Sequence, residues 1–352
     1  MHTTNSMAVP DTIAAIQTDT YAITNEHTLT VSYDRHCSRE QPGNGGARWG
    51  QYFNHNDQVR EAEILADHMS KKHALYATGF LGAKLVIDGP RDREHRTEVL
   101  RSAATILNQY DGAIFTGCDL NTTNEDLEFL ATQTPYVLNS LTNTAIDTSQ
   151  ATGYGVFAAV RTILETDRSE TVPHIAIHGL GRVGGRVAVE ARAAGYRVTG
   201  YDLDGARPTD LGITGVEEAE LFGNECSALI LCSTTGIITN DVAASVRAKW
   251  IVSGTNSPLA TIQAAVSLDE RGVRYLPDIV ANAGAVICDG IEYYRPKEFK
   301  SLTQRDIERY VCRRISGRTH QIVARADLLG ISLTASTARD IGSQVLASTA
   351  QF

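Results

Sequence analysis

The sequence predicts an α/β protein of two domains, the second built on a doubly wound parallel sheet. Three observations carry this. Ile175, Ala176 and Ile177 form a short apolar run suited to a buried parallel strand. Gly179, Gly181 and Gly184 follow at the spacing G-x-G-x-x-G. A helical pattern through Val187, Val189, Ala191 and Ala194 then closes at Gly195, before a second strand that ends in Asp202. Each glycine has a mechanical reason. Gly179 permits the tight turn, Gly181 lets a pyrophosphate approach the backbone, and Gly184 brings helix and strand together. Arg182 and Val183 open the helix, whose free N–H groups and dipole favour phosphate. Asp202 lies roughly 20 residues after the glycines, where a carboxylate accepts from the adenosine ribose hydroxyls. The stretch therefore reads as a Rossmann-type dinucleotide site. Asp202 favours NAD over NADP, because a 2′-phosphate would meet a negative charge, while Arg207 lies close enough to keep NADP in view.

Length and composition agree with two soluble domains. The chain has 352 residues, 42% hydrophobic and 21% charged. A formal charge of -9 argues against nucleic acid as a partner. No apolar run approaches the roughly 18 residues that suggest a membrane span, and the first residues lack the basic and apolar regions of a signal peptide. The cysteines Cys37, Cys118, Cys226, Cys232, Cys288 and Cys312 form no C-x-x-C pair, so they read as reduced thiols, without a disulfide framework or a metal site. The expectation is a cytoplasmic protein.

Along the chain, residues 1–20 are Thr-rich and read as partly disordered or weakly helical. Tyr21 to Tyr33 mixes β-branched and aromatic residues as strands do. Pro42 to Trp49 reads as a glycine-rich loop, and residues 56–72 place Val59, Ala62, Leu65, Ala66 and Met69 at helical spacing. Lys71 and Lys72, taken alone, read as a solvated basic helix end. Lys84 stands just before a predicted strand at 85–88, and 94–110 is helical again. Asp119 follows a β-like run at 113–118, and Asn124 opens a helix with a cap and an acidic first turn. Residues 139–152 form the connection, with a helix from Gly153 to about Glu165. Further strands at 228–232, 250–253 and 273–276 lead into loops carrying Ser233, Asn256 and Asn282, at the strand ends where such sheets bind ligands. The tail, 303–350, reads as long helices.

Several loops together resemble the glutamate/leucine/phenylalanine/valine dehydrogenase family. Gly45-Gly-Ala-Arg48 is similar to its G-G-T-R, Met69-Ser-Lys-Lys72 to M-T-x-K, and Gly82-Ala-Lys84 to G-G-K. Thr116-Gly-Cys-Asp119-Leu-Asn-Thr-Thr resembles T-x-x-D-V-x-T-x, Thr152-Gly-Tyr-Gly-Val resembles T-A-x-G-V, and Ala281-Asn282-Ala-Gly resembles N-A-G-G. The likeness runs from about Gly45 to Gly290. It implies an N-terminal α/β substrate domain (1–149, with a C-terminal helix, 325–352, packing back) and a dinucleotide domain (150–324), with a cleft between them. The implied reaction is NAD-dependent oxidation of an amino acid to a 2-oxo acid and ammonia, or its reverse, in a homo-oligomer of at least two subunits. By the same resemblance Lys72 holds the α-carboxylate, with Gly46 beside the substrate, and Lys84 is the general base. Asp119 relays protons to the substrate nitrogen, Asn256 contacts the amino group or ribose, and Thr152 and Asn282 grip carboxamide and ribose. His73, His174 and His178 are expected to be structural, and Cys118 to pack.

The departures from the family pattern are informative. Ala83 stands where a third glycine is usual before the base, and Ala285 replaces the second glycine after Asn282. Asn44 replaces an apolar residue, Asp289 falls where an aliphatic contact is expected, and Gly117 leaves space where relatives carry a methyl. An unpaired carboxylate in an apolar pocket is costly. Asp289, with Asn44, therefore either faces a polar or cationic substrate side chain, or turns to solvent or to Arg295. Two other readings remain: a relative recruited to an unusual oxo acid or imine in a biosynthetic pathway, and a non-catalytic NAD(H)-binding sensor.

Overall fold

The computed structural model describes residues 15–138, 140–167 and 172–349. Expectations for residues 1–14 and for the last three residues of the tail lie outside them. The chain divides into two compact units. One comprises the chain up to Thr142, Asp289–Pro296 and the chain from Ile341; the other comprises Asn143–Cys288 and Lys297–Asp340. The sequence predicts a boundary at 149/150, with all of 325–352 in the first domain. The structure moves 143–149 and 325–340 to the second unit, because the helix beginning at Thr148 and the long helix ending at Leu329 pack along each other.

The first unit contains β1 (Ile16–Ala22), β2 (Thr28–Asp34), β3 (Gly43–Gly50), α1 (His55–Tyr76), β4 (Leu81–Asp88), α2 (Arg93–Gln109), β5 (Ile114–Cys118) and α3 (Asn124–Gln133). Its sheet has the order β1-β2-β4-β3-β5, with β3 parallel to β4 and β5 and the remaining pairs antiparallel. One face is the core. Leu29, Val31, Ala47, Trp49, Leu85 and Ile87 pack there against α2 and α3. The alternate residues point the other way, where α1 covers β2 and β4. Local sequence fixes the helix ends: Asn54 caps α1 through Asp57, and Thr123 and Asp126 form a reciprocal capping box on α3.

Three expectations change here: residues 16–20, read as disordered or weakly helical, belong to β1, which pairs with β2. Residues 43–50 form a buried central strand, not a loop. Glycine is needed because the neighbouring backbones come so close: a Cβ on Gly45 would lie 1.8 Å from the Ala83 carbonyl oxygen, and one on Gly46 would lie 2.8 Å from Asp119 Cβ. Lys84 sits within β4 rather than before it, since Gly82 and Ala83 extend the strand backwards.

The second unit holds α4 (Thr148–Asp167), β6 (His174–His178), α5 (Arg182–Ala193), β7 (Arg197–Tyr201), α6 (Arg207–Asp210), β8 (Thr214–Gly215), α7 (Glu218–Gly223) and β9 (Cys226–Leu231). It continues with α8 (Asn240–Ser245), β10 (Ala248–Ser253), α9 (Ile262–Glu270), β11 (Arg274–Leu276), α10 (Asp278–Ala281), α11 (Gly284–Tyr294), α12 (Pro296–Phe299), α13 (Gln304–Leu329) and α14 (Leu333–Thr349). The division between units falls inside α11, again inside α12 after Pro296, and again inside α14. The sheet is parallel throughout, in the order β11-β10-β9-β6-β7-β8. Every residue of β6 and β9 is buried, as expected for strands covered on both faces. The order reverses at β6, which is the switch point where doubly wound sheets bind ligands. Helix α4 starts five residues before the expected Gly153, so Thr152 lies on a helix and not in a connection. No helix among the described residues is long and apolar enough to cross a membrane.

Candidate functional site

Strand alternation sets the geometry of the first unit. Asn44, Gly46 and Arg48 share one face of β3, and register places Gly46 opposite Gly117 and Asn44 opposite Gly82 and Phe115. Lys84 lies on the same face of β4, and Asp119 directly follows β5. The result is a compact charged cluster. Lys84 Nζ donates to Asp119 Oδ2 at 2.5 Å, and Arg48 Nε donates to the same oxygen at 3.0 Å. Arg48 also pairs with Glu61 on α1. Lys84 and Arg48 are buried. Burial lowers the Lys84 ammonium pKa, Arg48 lowers it further, and Asp119 opposes both. Burial alone would raise the Asp119 carboxyl, but Lys84 and Arg48 hold it well below the usual carboxylate range. The cluster therefore joins a firmly ionised acid to an amine biased toward its neutral form.

Lys72 is buried on α1, so it is not the solvated helix end that its neighbour suggests, whereas Lys71 pairs with Asp67 one turn back at 2.6 Å. His73, beside Lys72, bonds Thr78 Oγ1 at 2.6 Å and the Asn44 carbonyl at 3.2 Å. Asn44 Nδ2 donates to Asp289 Oδ2 at 2.8 Å. The structure thus joins the two polar residues that depart from the family pattern. Burial pushes the Asp289 carboxyl up to about 7, Asn44 moderates the rise, and Glu292 adds to it. Gly117 has another cause than spare room, since a Cβ there would meet the Leu138 carbonyl oxygen at 2.5 Å. Sequence reasoning assigned no role to Arg48 or Glu61. The period-two spacing of Asn44, Gly46 and Arg48 would have shown Arg48 had β3 been read as a strand.

In the second unit, the glycine turn has the expected form. Gly179 has φ +87°, and a Cβ on Gly184 would lie 1.9 Å from the Gly179 carbonyl oxygen. Gly181 caps α5 without a side-chain hydrogen bond, and nothing lies within 4 Å of where its Cβ would be. The first-turn N–H groups at Arg182 and Val183 thus stand behind open space, which suits a diphosphate. Asp202 also braces the turn itself. Its Oδ2 accepts from Leu180 N at 2.6 Å, and its Oδ1 accepts from Asp204 N at 3.0 Å. Arg207 donates to the Leu180 carbonyl at 2.8 Å, so the Asp202 and Arg207 side chains hold Leu180 from both its N–H and its C=O.

Ser233 bonds His178 Nδ1 at 2.7 Å, and His178 also bonds Glu218. Thr152 Oγ1 accepts from Ala285 N at 3.1 Å, tying α4 to α11. Asn282 Nδ2 donates to Asn256 Oδ1 at 3.0 Å and to the Thr255 carbonyl, while its own Oδ1 is buried with no hydrogen-bond partner. An unfilled buried acceptor beside the β10 loop fits an amide-bearing ligand, and the open glycine turn fits its phosphates. The residues present therefore suit a nicotinamide dinucleotide. His174 bonds Glu225 O and Thr199, and Cys118 lies 3.2 Å from Thr122 O, contacts that tie strands and loops together.

Comparison with known proteins gives a consistent answer. The family model described as Glutamate/Leucine/Phenylalanine/Valine dehydrogenase matches residues 208–349. Phenylalanine dehydrogenase of Lysinibacillus sphaericus is 26% identical over 276 residues, covering 74% of this chain and 72% of that protein. Leucine dehydrogenase of Bacillus subtilis (strain 168) is 27% identical over 263 residues, covering 72% of each. The crystal structure of L-tryptophan dehydrogenase from Nostoc punctiforme aligns with a TM-score of 0.74 at 22% identity, over 95% of this chain and 96% of that one. Hetero-hexameric glutamate dehydrogenase from Thermus thermophilus aligns with a TM-score of 0.78 at 18% identity, over 96% and 89%. The structural likenesses establish the fold, and the sequence matches cover almost three quarters of the chain. The family model and the curated relatives together support the glutamate/leucine/phenylalanine/valine dehydrogenase family, to whose amino acid dehydrogenases this chain is similar.

Proposed function

We propose that this protein is an NAD-dependent L-amino acid dehydrogenase, converting an amino acid and water to a 2-oxo acid and ammonia, or running in reverse. The carrying observation is the buried Lys84–Asp119–Arg48 cluster. Bound NAD supplies the hydride acceptor, held by Gly179, Gly181, Arg182, Val183, Gly184, Asp202 and Ser233, with Thr152, Asn256 and Asn282 at its nicotinamide end. The remaining work belongs to the chain. Lys72 holds the α-carboxylate through its ammonium, with Gly46 leaving the substrate room. Lys84 in its free-amine form takes a proton from the water that adds to the imine carbon. Asp119, kept ionised by two cations, passes protons to and from the substrate nitrogen. Arg48 occupies part of the Asp119 charge, which weakens the hold of that carboxylate on the Lys84 proton. The active form on this reading is a cytoplasmic homo-oligomer.

The test is ammonia-dependent oxidation of NADH with a panel of 2-oxo acids, alongside the variants Lys84→Ala and Asp119→Asn. Turnover that falls by roughly 10²-fold or more in either variant, with NADH affinity retained, supports the assignment. NADH binding with no turnover on any oxo acid would overturn it in favour of a sensor.

A further inference from the structure

Asn44 is fully buried, and only one end of its amide is satisfied. Nδ2 donates to Asp289, but Oδ1 is buried with no hydrogen-bond partner. A buried acceptor of that kind normally has a donor. The Asp289 carboxylate, bonded to the same amide, is a second acceptor at the same place. The surroundings are apolar and aromatic. Phe115 is the β5 neighbour of Asn44, its ring 4.8 Å from Tyr293 and 6.3 Å from Phe80, and Tyr293 lies one turn beyond Asp289 on α11.

The ionisable groups around this pair are few. Glu292 lies on the same helix, where Ser140 N and Thr142 hold its carboxylate. From α1, His73 touches the Asn44 carbonyl and is kept neutral by burial, with Lys72 beside it. From β4, Gly82 lies opposite Asn44 and Lys84 follows two residues on, and β5 brings Phe115 to this position. Among the described residues none donates to Asn44 Oδ1, so that acceptor stands open to a donor carried by a ligand.

Position says where it comes from. Gly46 borders the Lys84–Asp119 cluster, and Asn44 lies two residues back along β3, roughly 7 Å away at about 3.3 Å per residue. An amino acid reacting at Lys84 spans that distance with a side chain of several methylenes or a ring.

We propose that Asn44 and Asp289 are specificity-determining residues that bind the far end of the substrate side chain, and that this end carries nitrogen-borne hydrogen-bond donors on an apolar stem. This rests on the dehydrogenase reading and narrows it. Two sources share the chemistry: a cationic ammonium or guanidinium, and a neutral ring N–H. Protonation of Asp289 separates them. As pH rises through about 7 the carboxyl ionises, so kcat/KM for a cationic side chain rises relative to an apolar control, while that for a neutral N–H donor does not.

The experiment measures NAD-dependent oxidation of L-lysine, L-arginine and L-tryptophan against L-norleucine, L-leucine and L-phenylalanine at pH 6 and pH 8. At least one donor-bearing substrate is expected to exceed its apolar counterparts at least tenfold in kcat/KM. Asp289→Leu is expected to reverse that order with NADH affinity unchanged. Asp289→Asn, which preserves shape, is expected to abolish a preference for the cationic substrates and to spare one for tryptophan. If norleucine, leucine or phenylalanine leads in the parent protein, or if Asp289→Leu leaves the order unchanged, the side-chain assignment is overturned while the dehydrogenase reading stands. If no amino or oxo acid reacts, the dehydrogenase reading falls first and takes this proposal with it.

Discussion

Arg48 and Lys84 donate to one and the same oxygen, Asp119 Oδ2, at 3.0 and 2.5 Å. Two cations sharing one acceptor divide its charge, and the one with the alterable proton is the one affected. Arg48 stays protonated at any working pH, whereas Lys84, buried and only partly compensated, is biased toward the free amine.

The first prediction follows from that sharing. Arg48→Gln removes a positive neighbour and leaves Asp119 wholly to Lys84, so the Lys84 pKa rises. On the proposed function Lys84 is the base and must be neutral to act, so the acid limb of the kcat/KM profile moves to higher pH, and activity at neutral pH falls by about tenfold or more. The check is a pH–rate profile of both proteins. An acid limb that stays in place would remove Arg48 from any tuning role.

Stability should depend on pH through His73. Burial holds this imidazole down to about 3, with the hydrogen bond to Asn44 O opposing the effect and Lys72 adding to it. The unfolded state binds a proton near pH 6.5, while the folded state refuses it until about pH 3. This contribution is therefore fully present above pH 6.5 and is lost between 6.5 and 3, with a slope of about 1.4 kcal/mol per pH unit. Denaturant midpoints between pH 7 and 5 measure it. His73→Gln, which titrates nowhere in that window, should show the shallower dependence.

Gly45→Ala should destabilise the first unit strongly. The added methyl would lie 1.8 Å from a backbone carbonyl that cannot swing aside, so β3 and β4 must separate. A loss of about 3 kcal/mol is expected, read from chemical denaturation. Gly181→Ala is the control: open space surrounds that position, and the expected cost to folding is small.

Asp202→Ala tests cofactor choice. On the proposed function it removes an acceptor from the ribose, and it also frees the Leu180 N–H, so NADH affinity should fall by roughly tenfold to a hundredfold, the usual value of a charged hydrogen bond. NADPH, no longer facing the carboxylate, should lose less. Titration of both cofactors by fluorescence decides this, and equal losses would mean that Asp202 serves only the turn.

The dinucleotide turn was legible in the sequence because its evidence is local. Three glycines, a strand before them and a helix after them all act within about thirty residues, and the structure repeats each piece. The first unit was harder to read. Residues 43–50 looked like a loop because glycine carries no strand signal, and the reason for those glycines, the backbone of β4 and the end of β5, lies far along the chain. Arg48 was missed for the same reason, since its bond to Asp119 depends on a register that no short window contains. Asn44 and Asp289 stood out as departures from a pattern, but their hydrogen bond joins residues 245 positions apart. A single linear boundary at 149/150 also differs from the two units because Asp289–Pro296 belongs to the first unit after the chain has entered the second.

The glycines of β3 have a wider consequence. At Gly45 and Gly46 the two faces of β3 are bare main chain, packed too closely to accept even a methyl, and on the proposed function Gly46 lies on the face that meets the substrate. Mutation cannot sculpt such a strand, so on the proposed function new substrate preferences must arise elsewhere, at positions such as Asn44 and Asp289. Chemistry and selectivity can then drift independently, one held still by the absence of side chains and the other free to be rewritten.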